Sequence, residues 1–134
     1  MDANELRVDN WITDVYAPEG KMFQVKEIHK IRCIYGNALL VSKYENLKPI
    51  VLSPEILEKC GFELNRNNEL SIEINDIASH LELMRGVDGF YYPSFTQTPQ
   101  GDEERTVYFN RINSLHQLQN LYFSLCGEEL TYKQ

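Results

Sequence analysis

The stretch that most constrains the fold lies near the C-terminus, at residues 114–127. Its apolar residues recur at helical spacing and spread over much of the circumference; they are Leu115, Leu118, Leu121, Tyr122, Phe123, Leu125 and Cys126. Ser114 and Gln117 match a capping box at the start, and Gly127 matches a left-handed stop at the end. The pattern predicts a helix that packs into the body of the domain and, in one interpretation, also against a second copy of the chain.

The rest of this helix surface is polar but carries no charge; the polar residues are Asn113, His116, Gln117, Asn120 and Ser124. Gln119 lies inside the apolar stripe instead, where an amide without partners costs roughly 1–3 kcal/mol. The favoured interpretation is that Gln119 bonds a backbone group at a strand end or in a loop. The alternative is that Gln119, with His116 and Asn120, lines a groove for a ligand or a partner chain.

The first fifty residues contain short strand-like stretches at Leu6–Ile12, Met22–Ile28, Ile31–Tyr35, Ala38–Ser42 and Lys48–Leu52. Asp9 and Asn10 tolerate the left-handed backbone of a bulge, and Gly36 and Asn37 match a two-residue hairpin turn. Short strands at this density predict a small, strongly bent antiparallel sheet or an SH3-like barrel over residues 1–52.

A short helix follows, with Ser53 as N-cap, Pro54 at its first position, Gly61 as a left-handed stop and Phe62 folding back on Leu57. Antiparallel strands are then predicted at Leu70–Ile74, Ile77–Met84, Phe90–Tyr92 and Thr106–Phe109, with a polar loop at Thr96–Glu104. The sequence therefore predicts one compact α+β domain over residues 1–134. In it, residues 53–134 form an antiparallel sheet with the C-terminal helix packed on one face.

The charge distribution disfavours one class of partner. The net charge is −7, and an acidic chain binds nucleic acid poorly because phosphate neutralisation supplies most of that affinity. A local basic segment keeps nucleic acid as an alternative; its residues are Lys21, Lys26, Lys30, Arg32, Lys43 and Lys48. The plainer interpretation is that these cations occupy the solvated face and edges of a sheet.

Three weak features of the sequence indicate the same cellular location. No apolar run approaches the roughly 20 residues that a membrane span needs, and the N-terminus lacks the pattern of a signal peptide. The three cysteines, Cys33, Cys60 and Cys126, are odd in number and far apart, which suits a reducing cytoplasm. We therefore expect a cytoplasmic protein with no membrane partner.

Motifs that carry catalytic or metal chemistry are absent from the sequence. It has no glycine-rich phosphate loop, no paired-cysteine spacing and no two-histidine zinc helix. His116 and Cys126 lie about 15 Å apart along one helix and cannot act as a nucleophile–base pair. Cys60 ends a helix, where a thiolate is disfavoured. We expect no enzyme, no catalytic residue, no metal and no cofactor.

Aromatic residues are plentiful in the second half of the chain, where some would face the core and others solvent. Outward aromatic side chains anchor interfaces or stack on bases, although core packing is the more common role. We select Tyr91 and Trp11 as candidate contact residues, beside His116, Gln119 and Asn120.

Three segments together, Leu6–Trp11, Lys48–Phe62 and His116–Phe123, resemble a group of small proteins from phages and mobile elements of gut Bacteroidetes-type bacteria. The resemblance spans nearly the whole chain and implies a bacterial or phage cytoplasmic context, but it implies no activity. Asp9 departs from the glycine expected there, which implies a tight turn that Asp adopts at some strain.

Three hypotheses on function follow, in order of preference. The first is a non-enzymatic protein-binding module, with homodimerisation through the C-terminal helix as one form of it. The second is a nucleic-acid accessory protein that uses the basic 21–48 segment. The third is a small-ligand binder with its site near His116 and Asn120.

Overall fold

The structure is a computed structural model that describes residues 1–74, 76–98 and 103–134. The described residues form ten strands and two α-helices, which confirms the predicted α+β class. In chain order these are β1 (Trp11–Asp14), β2 (Phe23–Ile28), β3 (Arg32–Tyr35), β4 (Leu40–Lys43), β5 (Leu47–Lys48), α1 (Pro54–Lys59), β6 (Glu63–Leu64), β7 (Leu70–Ile74), β8 (Asp76–Arg85), β9 (Tyr91–Gln97), β10 (Arg105–Tyr108) and α2 (Leu115–Cys126).

The chain divides into two compact units. Unit 1 comprises Met1–Val51 and Ser114–Leu121, and unit 2 comprises Leu52–Asn113 and Tyr122–Gln134. The first half of α2, up to Leu121, belongs to unit 1. The local patterns of the sequence did not indicate this grouping.

Unit 1 contains an antiparallel sheet in the order β4-β3-β2-β1-β5. Its core consists of Leu6, Ile12, Val25, Cys33, Tyr35, Tyr44 and Leu47. Of the two predicted alternatives, the described residues form the open sheet and no closed barrel, with β4 and β5 as its edges. The other unit contains a meander in the order β10-β9-β8-β7-β6, in which each strand pairs with its neighbours in sequence.

Two predictions for unit 1 were wrong. Residues 6–10 do not form a strand, because Asp2 and Glu5 cap a 3-10 turn at Ala3–Glu5 and the Asn10 side chain accepts from the Arg7 N–H at 2.8 Å. Such local side-chain bonds compete with strand pairing. The turn after β3 has four residues rather than two, because Tyr35 pairs with Leu40.

The short helix α1 confirms its predicted capping. The Ser53 Oγ accepts from the Ile56 N–H at 3.2 Å, and the Phe62 N–H bonds to the Leu57 C=O at 3.0 Å. Gly61 has φ 95°, the left-handed conformation that this C-terminal motif requires. Leu57 and Phe62 are buried, so the helix is held by packing as well as by its caps.

The main helix α2 begins after Ser114 and ends before Gly127, as predicted, but the capping box is only half formed, because the Ser114 Oγ has no hydrogen-bond partner among the described residues. The Ser114 N–H donates to the Gln117 Oε1 at 3.2 Å, which is one half of the capping box. Gly127 has φ 75°, and its N–H bonds to the Phe123 C=O at 2.7 Å. Farther back in the chain, β8 confirms the strand predicted at Ile77–Met84. Of the predicted loop Thr96–Glu104, Thr96 and Gln97 belong to β9, and residues 99–102 lie outside the described residues.

Candidate functional site

The Gln119 amide holds the start of β1. Its Oε1 accepts from the Trp11 N–H at 2.8 Å, and its Nε2 donates to the Asp9 C=O at 3.3 Å. The Gln119 side chain is buried, so its amide would be costly to leave without these partners. This is the favoured of the two interpretations of Gln119: the amide satisfies backbone groups at a strand end and in a turn.

Asn120 extends the same contact with the N-terminal segment. Its Oδ1 accepts from the Arg7 Nε at 3.1 Å and from the Asn10 Nδ2 at 2.9 Å, while its Nδ2 donates to the Glu5 C=O at 2.9 Å. We call Gln119, Asn120 and the segment Glu5–Trp11 the N-terminal clamp. Both amide side chains form hydrogen bonds within the chain. A binding role for Trp11, Gln119 and Asn120 remains a prediction.

His116 lies one turn earlier on α2 and is buried without a hydrogen bond. Neither ring nitrogen has a hydrogen-bond partner among the described residues, and the Glu5 Oε1 lies 3.7 Å from Nε2. Burial lowers the pKa of His116, an effect that the Glu5 carboxylate opposes and the N-terminal ammonium reinforces. The imidazole is therefore neutral near pH 7, and a ligand role for it also remains a prediction.

Tyr91, the fifth candidate, belongs to unit 2 and is only 1% exposed. It is not an outward aromatic; its neighbour Tyr92 takes that position on β9 and is 38% exposed. The Tyr91 hydroxyl is buried and has no hydrogen-bond partner among the described residues. The Arg85 guanidinium lies 5.8 Å from the centre of the Tyr91 ring.

Tyr91 also lines a cavity of about 890 Å³, which we call the unit 2 cavity. Its apolar lining includes Phe62, Leu64, Leu70, Leu83 and Met84. Its charged lining residues are Glu58, Glu63, Glu69 and Arg85. Sequence patterns did not reveal this site, because α1, the β6–β7 turn and β8 meet only in the folded sheet.

Two carboxyl groups, those of Glu69 and Glu82, lie within hydrogen-bond distance of each other beside this cavity. Burial raises the pKa of Glu82, and a hydrogen bond with Glu69 and the charge of that neighbour raise it further. Glu69 lines the unit 2 cavity, whereas Glu82 lies on an adjoining surface with Glu63, Glu73 and Glu104. Carboxyl groups outnumber basic side chains on both surfaces.

The second surface of interest is the edge strand β4 of unit 1. Leu40 and Val41 are 42% and 57% exposed, which is unusual for apolar residues at a sheet edge. Arg32 on β3 is paired directly with Lys43 on β4, and neither forms an ion pair with a described residue. The basic segment was noted in the sequence, but the pairing of two cations depends on the hairpin register.

The described residues offer little support for nucleophilic or metal chemistry. Burial raises the pKa of the Cys33 thiol to about 11 and that of Cys60 to about 12, so both stay protonated at neutral pH. No group of three potential ligands for a metal ion occurs in the described ranges. Within the same part of the chain, no helix has the length and apolar character to cross a membrane.

Comparisons with protein-family models, with curated proteins and with solved structures found no match to this chain. The function must therefore be argued from the two surfaces described above, the edge strand β4 and the unit 2 cavity.

Proposed function

We propose that the protein is a non-enzymatic protein-binding module that takes up an extended acidic segment of a partner as an additional strand beside β4. The observation that carries this proposal is a pair of facing cations, Arg32 and Lys43, at a free and apolar sheet edge. The three free cysteines fit a reducing cytoplasm, which is the location we propose.

The backbone of β4 supplies the binding groups. In an edge strand, alternate N–H and C=O groups point away from the sheet and remain open to an incoming chain. β4 has four residues, and Leu40 and Val41 give an added strand apolar side chains to pack against. The opposite edge is a poorer template, because β5 has two residues and its Leu47 is buried.

The charge of this edge selects the partner. Like charges directly opposite on paired strands are destabilising. A carboxylate on an added strand would lie beside Lys43, as cross-strand neighbours do, and would relieve its repulsion with Arg32. An extended segment that alternates apolar and acidic residues therefore matches both the apolar and the cationic character of β4.

A peptide fits this surface better than a nucleic acid does. Binding of single strands relies on aromatic side chains that stack on bases. The two tyrosines of the basic segment are buried and engaged, because the Tyr35 hydroxyl donates to Asp14 at 2.7 Å and the Tyr44 hydroxyl donates to the His29 C=O. The experiment must therefore distinguish binding of a peptide from binding of a nucleic acid.

The test uses a fluorescein-labelled peptide of eight residues in which glutamate alternates with valine, and fluorescence anisotropy measures its binding. We expect saturable binding that Lys43→Glu weakens about tenfold, because the substitution turns an attractive contact into a repulsive one. Lys133→Glu changes the charge equally at an exposed position in unit 2 and should bind as the wild type does. A peptide with methylated backbone nitrogens should not bind, since it cannot pair as a strand.

Three results would overturn the proposal: equal binding of the methylated peptide, unchanged binding by Lys43→Glu, or binding of a single-stranded oligonucleotide in place of the peptide. Misfolding cannot imitate the expected loss, because Lys43→Glu creates an attractive pair with Arg32 and should be at least as stable as the wild type. Sedimentation of the unliganded protein separately tests homodimerisation through α2, which does not require β4.

A further inference from the structure

We infer that the strand which β4 accepts is β10 of a second copy of this chain, added antiparallel so that Glu104 of one copy lies opposite Lys43 of the other. The inference rests on the function proposed above and names the partner. Three features of the two strands support it: their open edges, the directions of their backbone and side-chain groups, and their opposite charges.

Both strands lie at the edge of their own sheet. β4 ends the sheet of unit 1, and β10 ends the meander of unit 2. All four residues of β10 are exposed. An exposed edge of this kind is a template for pairing with another chain. Each copy therefore offers one strand from each unit, and a contact between β4 and β10 can be repeated from copy to copy.

The outward backbone groups of β4 follow from the hydrogen bonds of its neighbour β3. The Arg32 C=O accepts from the His29 N–H at 2.9 Å, so the backbone groups of Arg32 point away from β4. Arg32 and Lys43 are therefore a pair without hydrogen bonds between them, because such pairs alternate with hydrogen-bonded ones. The N–H and C=O groups of Lys43, and those of Val41 two residues earlier, point to the open edge.

The same reasoning applies to β10. The Phe109 N–H donates to the Pro93 C=O at 3.0 Å, so the backbone groups of Phe109 point to β9. Successive residues of a strand alternate in this direction, and the backbone groups of Thr106 therefore point to the open edge. Glu104 directly precedes the strand, and the alternation continued to this residue gives it the same direction.

One register satisfies the backbone and the charges together. Residues whose backbone groups point outward are the ones that exchange hydrogen bonds across a new antiparallel pair. Placing Val41 of one copy opposite Thr106 of the other meets this condition. The same register places Lys43 opposite Glu104, again with outward groups on both residues.

This register also brings together the core sides of the two sheets. Leu40 is paired with Tyr35, a residue of the unit 1 core. Val107 is paired with Phe95, which is paired in turn with the buried Leu81. Leu40 and Val107, which are 42% and 54% exposed, lie opposite each other in this register. Their contact would remove apolar surface from water on the side where both sheets carry their buried residues.

The charges on the other side are complementary. Lys43 lies beside Arg32, and neither forms an ion pair with a described residue. Glu104 lines a surface that carries further carboxyl groups, those of Glu63, Glu73 and Glu82. The one cation of β10, Arg105, follows Glu104 and points to the opposite side of the sheet. A pair of Lys43 and Glu104 therefore places each charge among charges of the opposite sign.

Sedimentation velocity of the full chain at rising concentration tests the contact. We expect the wild type to associate, into rings or open chains because the two surfaces differ. Lys43→Glu and Glu104→Lys each place like charges opposite one another and should weaken association about tenfold. The chain that carries both substitutions has opposite charges again and should regain association. Lys133→Glu and Glu19→Lys make the same changes of charge at exposed positions outside both strands and should have no effect.

Amide hydrogen exchange tests the pairing and its register. The N–H groups of Val41, Lys43, Glu104 and Thr106 should exchange more slowly in associated than in dilute protein, because they are the groups that bond across the contact. The acidic peptide described above competes for β4, so it should dissociate the assembly and remove this protection.

The inference is wrong if the double variant does not regain the association that the single variants lose. Association that neither charge reversal weakens would place the contact elsewhere, as at α2, and would also disprove it. A monomeric protein that binds the peptide through Lys43 would disprove this inference and leave the proposed function standing. A monomer that does not bind the peptide would overturn both.

Discussion

The N-terminal clamp of unit 1 and the wall of the unit 2 cavity both bury polar side chains, but they treat them differently. In the clamp, the Gln119 and Asn120 amides bond the backbone of the N-terminal segment and the side chains of Arg7 and Asn10. In the cavity wall, the Tyr91 hydroxyl has no partner among the described residues. The amides of the clamp thus contribute hydrogen bonds to the fold, whereas the Tyr91 hydroxyl contributes none among the described residues.

This contrast changes the role that we assign to each candidate residue. His116, Gln119, Asn120, Trp11 and Tyr91 were selected together from the sequence. The structure brings Trp11, Gln119 and Asn120 into one hydrogen-bonded network, and it places Tyr91 in unit 2. A buried polar group whose bonds are all made within the chain points to stability, and one without partners requires another explanation.

Removing the Gln119 amide should have the largest effect on stability. Gln119→Leu leaves the Trp11 N–H without its partner, whereas the Asp9 C=O keeps the hydrogen bond from the Gln24 Nε2 at 3.3 Å. We therefore expect a loss of about 1–3 kcal/mol from one unpaired group. Trp11 is the only tryptophan in the sequence and belongs to unit 1, so its fluorescence during urea unfolding reports on this unit.

The control is Gln97→Leu, which makes the same chemical change at an exposed position on β9 and should alter stability by less than about 0.5 kcal/mol. Equal unfolding midpoints for the two variants would show that the clamp does not stabilise unit 1. The hydrogen bonds of Gln119 would then not distinguish the clamp from the cavity wall.

His116 precedes Gln119 on α2 and is buried without a hydrogen bond to any described residue. Its pKa is lowered by burial, so the unfolded chain binds a proton more readily than the folded one below the ordinary value of 6.5. Stability from this group is therefore complete above that pH and declines as the pH falls, by up to about 1.4 kcal/mol per pH unit. Glu5, which faces the ring, reduces the effect, and the N-terminal ammonium increases it.

Urea unfolding between pH 7.5 and pH 5.5, followed by Trp11 fluorescence, measures this dependence. His116→Leu cannot titrate at this position and should show a flatter profile than the wild type. A wild-type stability that does not change over this range would mean that His116 gains a partner on protonation, and His116 would then join the satisfied groups of the clamp.

Local chemistry made much of the fold predictable. The caps of α1 and α2 lie within a few residues of the helices they end, so the sequence displays them directly. Asp9 was expected in a tight turn from the resemblance, and it has φ 76°. The error at residues 6–10 arose because the capping by Asp2 and Glu5 outweighed the alternation of apolar residues, two local signals of similar strength.

The sites were less predictable because they depend on contacts between distant residues. The sequence indicated that Gln119 needs a backbone partner, but the partner at Trp11 lies 108 residues away. The facing pair of Arg32 and Lys43 depends on the register of one hairpin. The unit 2 cavity depends on three elements that carry no shared motif, so only the assembled sheet reveals it.

Replacing the Tyr91 hydroxyl should have the smallest effect and the opposite sign. Tyr91→Phe removes a buried hydroxyl that has no partner, so we expect the unliganded protein to gain about 1 kcal/mol. Amide exchange in β8 and β9 measures the gain within unit 2. Tyr108→Phe, at a hydroxyl on a residue 81% exposed, is the control and should be neutral. A loss of stability in Tyr91→Phe would show that the hydroxyl is already satisfied by water, and the contrast between clamp and cavity would then disappear.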